Sequence, residues 1–152
     1  MCVATRVGMF KRILVPTDFS ACADEALAVA LELAKKFESH VILTHACESP
    51  STAYMGMMAT PLDLITPVRE AAKEALAQSF ALLQRNHADS ESLLLFGNAP
   101  LELLRAIESS RADLVVIGTH GRTGLTHLLL GSVAEKIVRT SPVPVLTVRK
   151  RK

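Results

Sequence analysis

Short apolar runs alternate along this chain with longer stretches of helical period, and that alternation sets the expected architecture. Arg12-Ile-Leu-Val-Pro16 reads as a first strand, ending at the polar pair Thr17-Asp18. Ser20 is placed to cap a following helix, with Asp24 and Glu25 at its positive start and Lys35 and Lys36 at its negative end. Ala23, Leu27, Ala30, Leu31 and Ala34 recur at helical spacing as its buried face. Val41-Ile-Leu-Thr-His45 predicts a second strand. Periodicity then lapses from about Cys47 to Thr66, a stretch with Pro50, Gly56, Pro61, Met55, Met57 and Met58 and no charge from Ser49 to Leu62. Connections of that length are usually functional or disordered, so a lid or a partner surface comes into question. Thr66-Pro67, a cap followed by proline, opens a second helix running to about His87, with Ala71, Ala75, Ser79 and Leu82 inward. Ser92–Phe96 is a third strand closed by Gly97, and a short helix follows Pro100 with Leu101, Leu104 and Ile107 inward. Asp113–Ile117 is a fourth strand, followed by a glycine-rich loop to about Leu130. Ser132-Val-Ala-Glu135 has the form of a capping box that starts the last helix. Val143–Val148 is a fifth strand, expected at a sheet edge because Pro144 lacks a backbone donor.

Strands separated by crossover helices run parallel, and a parallel sheet needs cover on both faces. The expectation is a single α/β domain with an open, doubly wound five-stranded sheet over residues 10–149. Residues 1–9 read as a loose extension and 150–152 as a basic tail. Ligands of such sheets bind beyond the carboxyl ends of the strands. That rule points to Thr17-Asp18, Ala46-Cys47 and the loop from Gly118.

Composition narrows the classes. The 152 residues are 49% hydrophobic and 21% charged, which excludes a disordered chain. A net charge of +2, with four basic residues at positions 149–152, leaves a nearly neutral body and argues against nucleic-acid or membrane-surface binding. Three dispersed cysteines, Cys2, Cys22 and Cys47, without a C-x-x-C pair, suggest free thiols rather than disulfides or zinc. No run approaches the roughly 18 apolar residues of a membrane span, and the first residues lack a signal-peptide core. A cytoplasmic protein is expected.

The chemistry concentrates in the loop after the fourth strand. Gly118, Gly121, Gly124 and Gly131 are four of the seven glycines, so the backbone there is built for close approach. Successive N–H groups in such a loop, with a helix start behind them, form an anion site. Arg122 adds charge and Ser132 a hydroxyl. There is no G-x-x-x-x-G-K-[ST], and no G-x-G-x-x-G follows the first strand, so the P-loop and dinucleotide patterns are absent.

Gly118-x2-Gly121-x9-Gly131-Ser132 resembles the nucleotide-binding signature of the universal stress protein family. Ile13-Leu-Val-Pro-Thr-Asp18, Leu43-Thr-His45, Gly97-x-x-Pro100, Asp113-Leu-Val-Val-Ile-Gly118 and Pro142-Val-Pro-Val-Leu146 are similar to other blocks of that family, in the same order. The resemblance implies a strand order of 3-2-1-4-5, an ATP site and Mg²⁺ or Mn²⁺ carried by the phosphates. By position it puts Pro16, Thr17 and Asp18 beside the adenosine and gives Ala46 backbone groups for the adenine. Ile117 and Gly118 fall under the ribose, and His120, Gly121, Arg122, Gly131, Ser132 and Val133 near the phosphates. It also implies a homodimer through the fifth strand. Two departures are Ala134, where binding members often carry a hydroxyl, and the extra residue in Gly97-Asn-Ala-Pro100.

Other residues read more plainly. His45 is expected as a packed or hydrogen-bonded strand residue, and His120 and His127 lack companions for a metal site. No G-x-S-x-G elbow is present, and no base is aimed at a terminal phosphate. Binding with at most slow hydrolysis is the expectation, as a regulatory or protective module of the stress response. A slow ATP-hydrolysing or adenylyl-transferring enzyme of the same superfamily is the alternative. Adenylyl-transfer members with a pyrophosphate loop show S-G-G-x-D-S after the first strand, where this chain has Asp18-Phe-Ser-Ala-Cys22.

Overall fold

The computed structural model describes residues 10–48, 62–119 and 130–150. In chain order the elements are β1 (Arg12–Pro16), α1 (Ala21–Phe37), β2 (His40–Cys47), α2 (Leu62–Asn86), β3 (Ser90–Phe96), α3 (Ala99–Ser109), β4 (Leu114–Gly118), α4 (Ser132–Thr140) and β5 (Val145–Val148). The five strands form one parallel sheet in the order β3-β2-β1-β4-β5.

The two-residue period of a strand sorts its side chains into two cores. Ile13 and Val15 of β1, Val41 and Leu43 of β2, and Leu114 and Val116 of β4 point to one face. There they meet Ala26, Ala30 and Ala34 of α1 and Leu76 and Leu83 of α2. Leu14 of β1 and Val115 and Ile117 of β4 point to the other, against Leu103, Ala106 and Ile107 of α3 and Ala134 and Ile137 of α4. Both faces are therefore dry, and the central strands are apolar throughout rather than alternating.

Helix ends follow ordinary rules. Ser20 accepts from the Ala23 N–H at 3.3 Å to start α1, and Glu38 ends it in the left-handed region at φ 54°. β5 lies at the sheet edge, and Pro144 just before it uses its carbonyl to accept from Val115 N–H.

Several boundaries and faces differ from the sequence reading. β2 and β3 are longer than expected, and β5 starts two residues later. α2 starts at Leu62, so Pro67 lies inside it and costs one backbone hydrogen bond rather than opening the helix. Its buried side is Leu76 and Leu83 with Phe80 packed against the core, while Ala71 is exposed and Leu82 is 61% exposed. Small residues set the expected face of α2, as in α1, but the large side chains one position along displace it by about 100°. In α3 the buried set is Ala99, Leu103, Ala106 and Ile107, and Leu101 faces solvent. That helix begins at Ala99, capped by Asn98, rather than after Pro100. In α1, Leu27 and Leu31 flank a row of alanines that lets the helix sit close to the sheet.

Among the described residues, no helix is long and apolar enough to cross a membrane.

Candidate functional site

The turn after β1 is clamped by its own polar groups. Thr17 Oγ1 accepts from the Phe19 N–H at 3.0 Å, and Asp18 Oδ1 accepts from the Ser20 N–H at 3.1 Å. Thr17 N–H donates to the Thr44 carbonyl at 2.8 Å, tying the turn to β2. Phe19 takes φ 63°, an uncommon value for a bulky residue. Its ring lies 4.5 Å from that of His45, which compensates by packing. His45 Nδ1 donates to the Thr17 carbonyl at 2.8 Å, since a carbonyl oxygen can only accept. His45 is thus a hydrogen-bonded strand residue that also faces the cleft described below.

On the other side, β4 ends at Gly118. A Cβ there would sit 2.9 Å from the Cys22 carbonyl oxygen and 3.1 Å from Cys22 Sγ. The close approach of α1 demands this glycine, not a left-handed backbone; among the described glycines only Gly97 has positive φ. The thiol of Cys22 donates to the Val148 carbonyl at 3.3 Å, so α1 also holds β5. Cys22 and Cys47 are free and buried, while Cys2 lies outside the described residues. Gly131 N–H donates to the Thr119 carbonyl at 2.8 Å, so the glycine-rich loop leaves and rejoins the fold at one point.

The expected capping box is not formed. Gly131 is the N-cap of α4 and has no side chain to cap with. Ser132 is the first helical residue and is exposed, and the carboxylate of Glu135 pairs with Arg139 at 3.3 Å. The other helices with described caps differ. Ser20 caps α1, and Asn98 caps α3, where Glu48 also accepts from the Ala99 N–H. Only α4, of these three, opens its free N–H groups and positive dipole end without a side-chain partner among the described residues.

These pieces surround one cleft of about 190 Å³. Pro16, Thr17 and Asp18 at the end of β1 stand in the middle, with Thr44, His45 and Ala46 of β2 on one side and Ile117 and Gly118 of β4 on the other. Ala99 and Leu103 of α3 close the apolar side, Gly131–Ala134 of α4 line the far end, and Ala23 of α1 completes the lining. The volume is below the roughly 300–1,000 Å³ of pockets that enclose drug-sized ligands, so it suits the inner part of a small organic molecule. Every expected site residue within the described chain lines it: Pro16, Thr17, Asp18, Ala46, Ile117, Gly118, Gly131, Ser132 and Val133. His120, Gly121 and Arg122 lie outside the described residues, as does the methionine-rich stretch around Met55. Thr44, Ala99 and Leu103 were not singled out by sequence. They sit inside apolar or helical patterns with nothing local to mark them. Among the described residues no group of three or more His, Cys, Asp or Glu is placed to hold a metal ion.

A sheet wound in this order, with a cleft across the ends of β1, β2 and β4, is a doubly wound α/β domain whose cleft lies where such sheets place their ligands. Residues 9–149 match the sequence model of the Universal stress protein family, and the chain belongs to that family. Universal stress protein MJ0531 of Methanocaldococcus jannaschii is 34% identical over 148 residues, covering 95% of this chain and 85% of the relative. The solved structure of hypothetical protein MJ0577 superposes with a TM-score of 0.74 at 26% identity, covering 95% of this chain and 99% of that one. A universal stress protein from Archaeoglobus fulgidus, solved in complex with dAMP, shares the fold at a TM-score of 0.65 and 24% identity, covering 92% of this chain and 98% of that one.

Proposed function

We propose that this chain binds ATP in the cleft and acts as a nucleotide-dependent regulatory or protective module of the stress response. The observation that carries the reading is the start of α4. A helix end without a side-chain cap, set at the mouth of an apolar slot, fits a ligand with an anion at one end and a flat ring at the other. Phosphates would take the N–H groups of Ser132 and Val133, with Gly121, Arg122 and His120 assigned to the same end by the family resemblance. Asp18 would meet the ribose or base side, and Ala46 would offer backbone groups to the base. Mg²⁺ or Mn²⁺ would be held through the phosphates rather than by a ligand cluster of the protein. The Archaeoglobus complex with dAMP supports an adenine nucleotide as a ligand this fold can accommodate.

Among the described residues the cleft lining contains one carboxylate, Asp18, and one imidazole, His45. Both stand on the β1–β2 side, away from the α4 end. Turnover would therefore be slow, because hydrolysis needs a group that orients water at the terminal phosphate. The working unit would be a cytoplasmic homodimer through the edge strand β5, where Leu146 is 39% exposed. Mass spectrometry of small molecules released from the purified, denatured protein, followed by calorimetry with ATP and Mg²⁺, tests the central claim. Recovery of ATP and saturable binding are expected; a parent protein that takes up no nucleotide would refute it.

A further inference from the structure

Thr44 is the anomaly of the cleft. Its residue is 0% exposed, it lines the cavity wall, and its Oγ1 has no hydrogen-bond partner among the described residues. Its surroundings explain why. Thr44 pairs with Pro16 on one side and Leu93 on the other, and Pro16, Ala46, Leu103 and Ile117 share the cleft with it. None of these side chains can donate or accept, and the polar side chains that also line the cleft, Thr17, Asp18, His45 and Ser132, form no hydrogen bond with the Thr44 hydroxyl. An unpaired buried hydroxyl is costly, and valine would fill the same space without that cost. The residue therefore makes sense if something entering the cleft meets it.

We propose that the Thr44 hydroxyl is a specificity-determining group that hydrogen-bonds the base of the bound nucleotide. The inference rests on the nucleotide reading above and adds a residue to it. Position selects the base rather than the phosphates. β2 and β4 are separated by β1, so Thr44 stands two strand spacings, roughly 10 Å, from β4 and the anion end beyond it. Depth selects the kind of base. His45 and Ala46 are half-buried, whereas Thr44 is fully covered, so it forms the innermost part of the β2 wall. A two-ring purine extends further into such a recess than a one-ring pyrimidine, which selects the purine as its partner. The hydroxyl can donate or accept, and so can pair with either kind of purine edge atom.

The experiment compares the parent with Thr44→Val, which keeps shape, and Thr44→Ser, which keeps the hydroxyl. Calorimetry with ATP and with UTP, both with Mg²⁺, reads affinity, and thermal unfolding without nucleotide reads the free protein. The expected result for Thr44→Val is an unfolding temperature equal to or above the parent, and ATP binding weakened about tenfold. UTP binding should barely change, so the preference for ATP over UTP narrows by a similar factor. Thr44→Ser should keep most of the preference. Unchanged ATP affinity in Thr44→Val overturns the proposal while leaving nucleotide binding intact. So does a ligand-free unfolding temperature several degrees below the parent, since that means the hydroxyl is already paired in the free protein. A parent that binds neither nucleotide removes the nucleotide reading itself, and this assignment with it.

Discussion

The two ends of the sheet are finished in opposite ways. At the amino ends of the strands, charges and carbonyls satisfy one another. The Asp113 carboxylate accepts from the Lys11 and Arg12 N–H groups at 2.7 and 3.0 Å. The Arg12 guanidinium donates to the Ser110 carbonyl and pairs with Glu91 at 2.8 Å. His40 Nδ1 pairs with Asp89 at 2.6 Å, and His87 Nε2 donates to the Ser39 carbonyl at 2.8 Å. At the carboxyl ends the same sheet leaves a helix start without a side-chain cap and a buried hydroxyl without a partner. One end is closed for stability; the other has groups to spare for a ligand. Even the closed end has one loose atom, since His40 Nε2 lies 3.3 Å from Glu91 but off the hydrogen-bond direction.

The sharpest way to break this contrast is to cap α4 as α1 is capped. Gly131 has φ −58° and ψ 148°, close to the extended conformation of the Ser20 cap, so Gly131→Asp fits the backbone. The carboxylate should stabilise the free protein by roughly a few tenths of a kcal/mol through the cap. It should also weaken ATP binding by roughly a hundredfold or more, because like charges then meet at the anion end. Calorimetry and thermal unfolding on the same samples check both halves, and a variant that gains stability without losing affinity defeats the anion-site assignment.

A second change strikes the wall between cleft and core. Gly118→Ala drives a methyl group to 2.9 Å from the Cys22 carbonyl. Overpacking of that kind should cost about 1–3 kcal/mol, read from urea midpoints.

At the closed end the effects should be smaller and silent toward ligand. Asp113→Ala leaves two backbone donors without their acceptor and should cost about 1–2 kcal/mol, with ATP affinity unchanged. A shift in affinity there would show that the two ends are coupled.

The smallest effect concerns acid. The hydrogen bond from His40 holds the Asp89 carboxyl below the usual aspartate range, more than its slight burial raises it. A depressed folded value means that the contribution is present at pH above the unfolded value, about 4, and is lost as pH falls below it. With Asp89 68% exposed, solvent screening limits this to a few tenths of a kcal/mol. The stability difference between parent and Asp89→Asn should be visible at pH 6 and shrink progressively as the solution is acidified below pH 4.

The contrast also marks what could be read in advance. The parallel sheet follows from strands separated by helices, a local signal, while the strand order and the gathering of Pro16-Thr17-Asp18, Ala46, Ile117-Gly118 and Gly131–Val133 follow from the family resemblance of the glycine signature and the strand-end blocks. The faces of α2 and α3 did not, because which of two apolar stripes is buried depends on the sheet it meets. Leu76 and Leu83 win over Ala71 and Leu82 only in three dimensions. Ser132 was misjudged because a capping box and an open helix start share the same letters; the difference lies in whether Gly131 or Ser132 takes the cap position. Thr44 gave no sign, being one hydroxyl in a strand otherwise built for a core.

Gly118 carries a consequence for how relatives are sorted. Its missing side chain is required by the Cys22 backbone, whatever occupies the cleft. A lineage that abandoned nucleotides altogether would still be held to glycine at this position by packing alone. Gly131, with an ordinary φ and its place at the start of α4, is under no such steric obligation. Divergence among descendants should therefore show first at Gly131 and last at Gly118, and an assignment of binding that leans on the first glycine of the pattern will count as binders chains that merely fold.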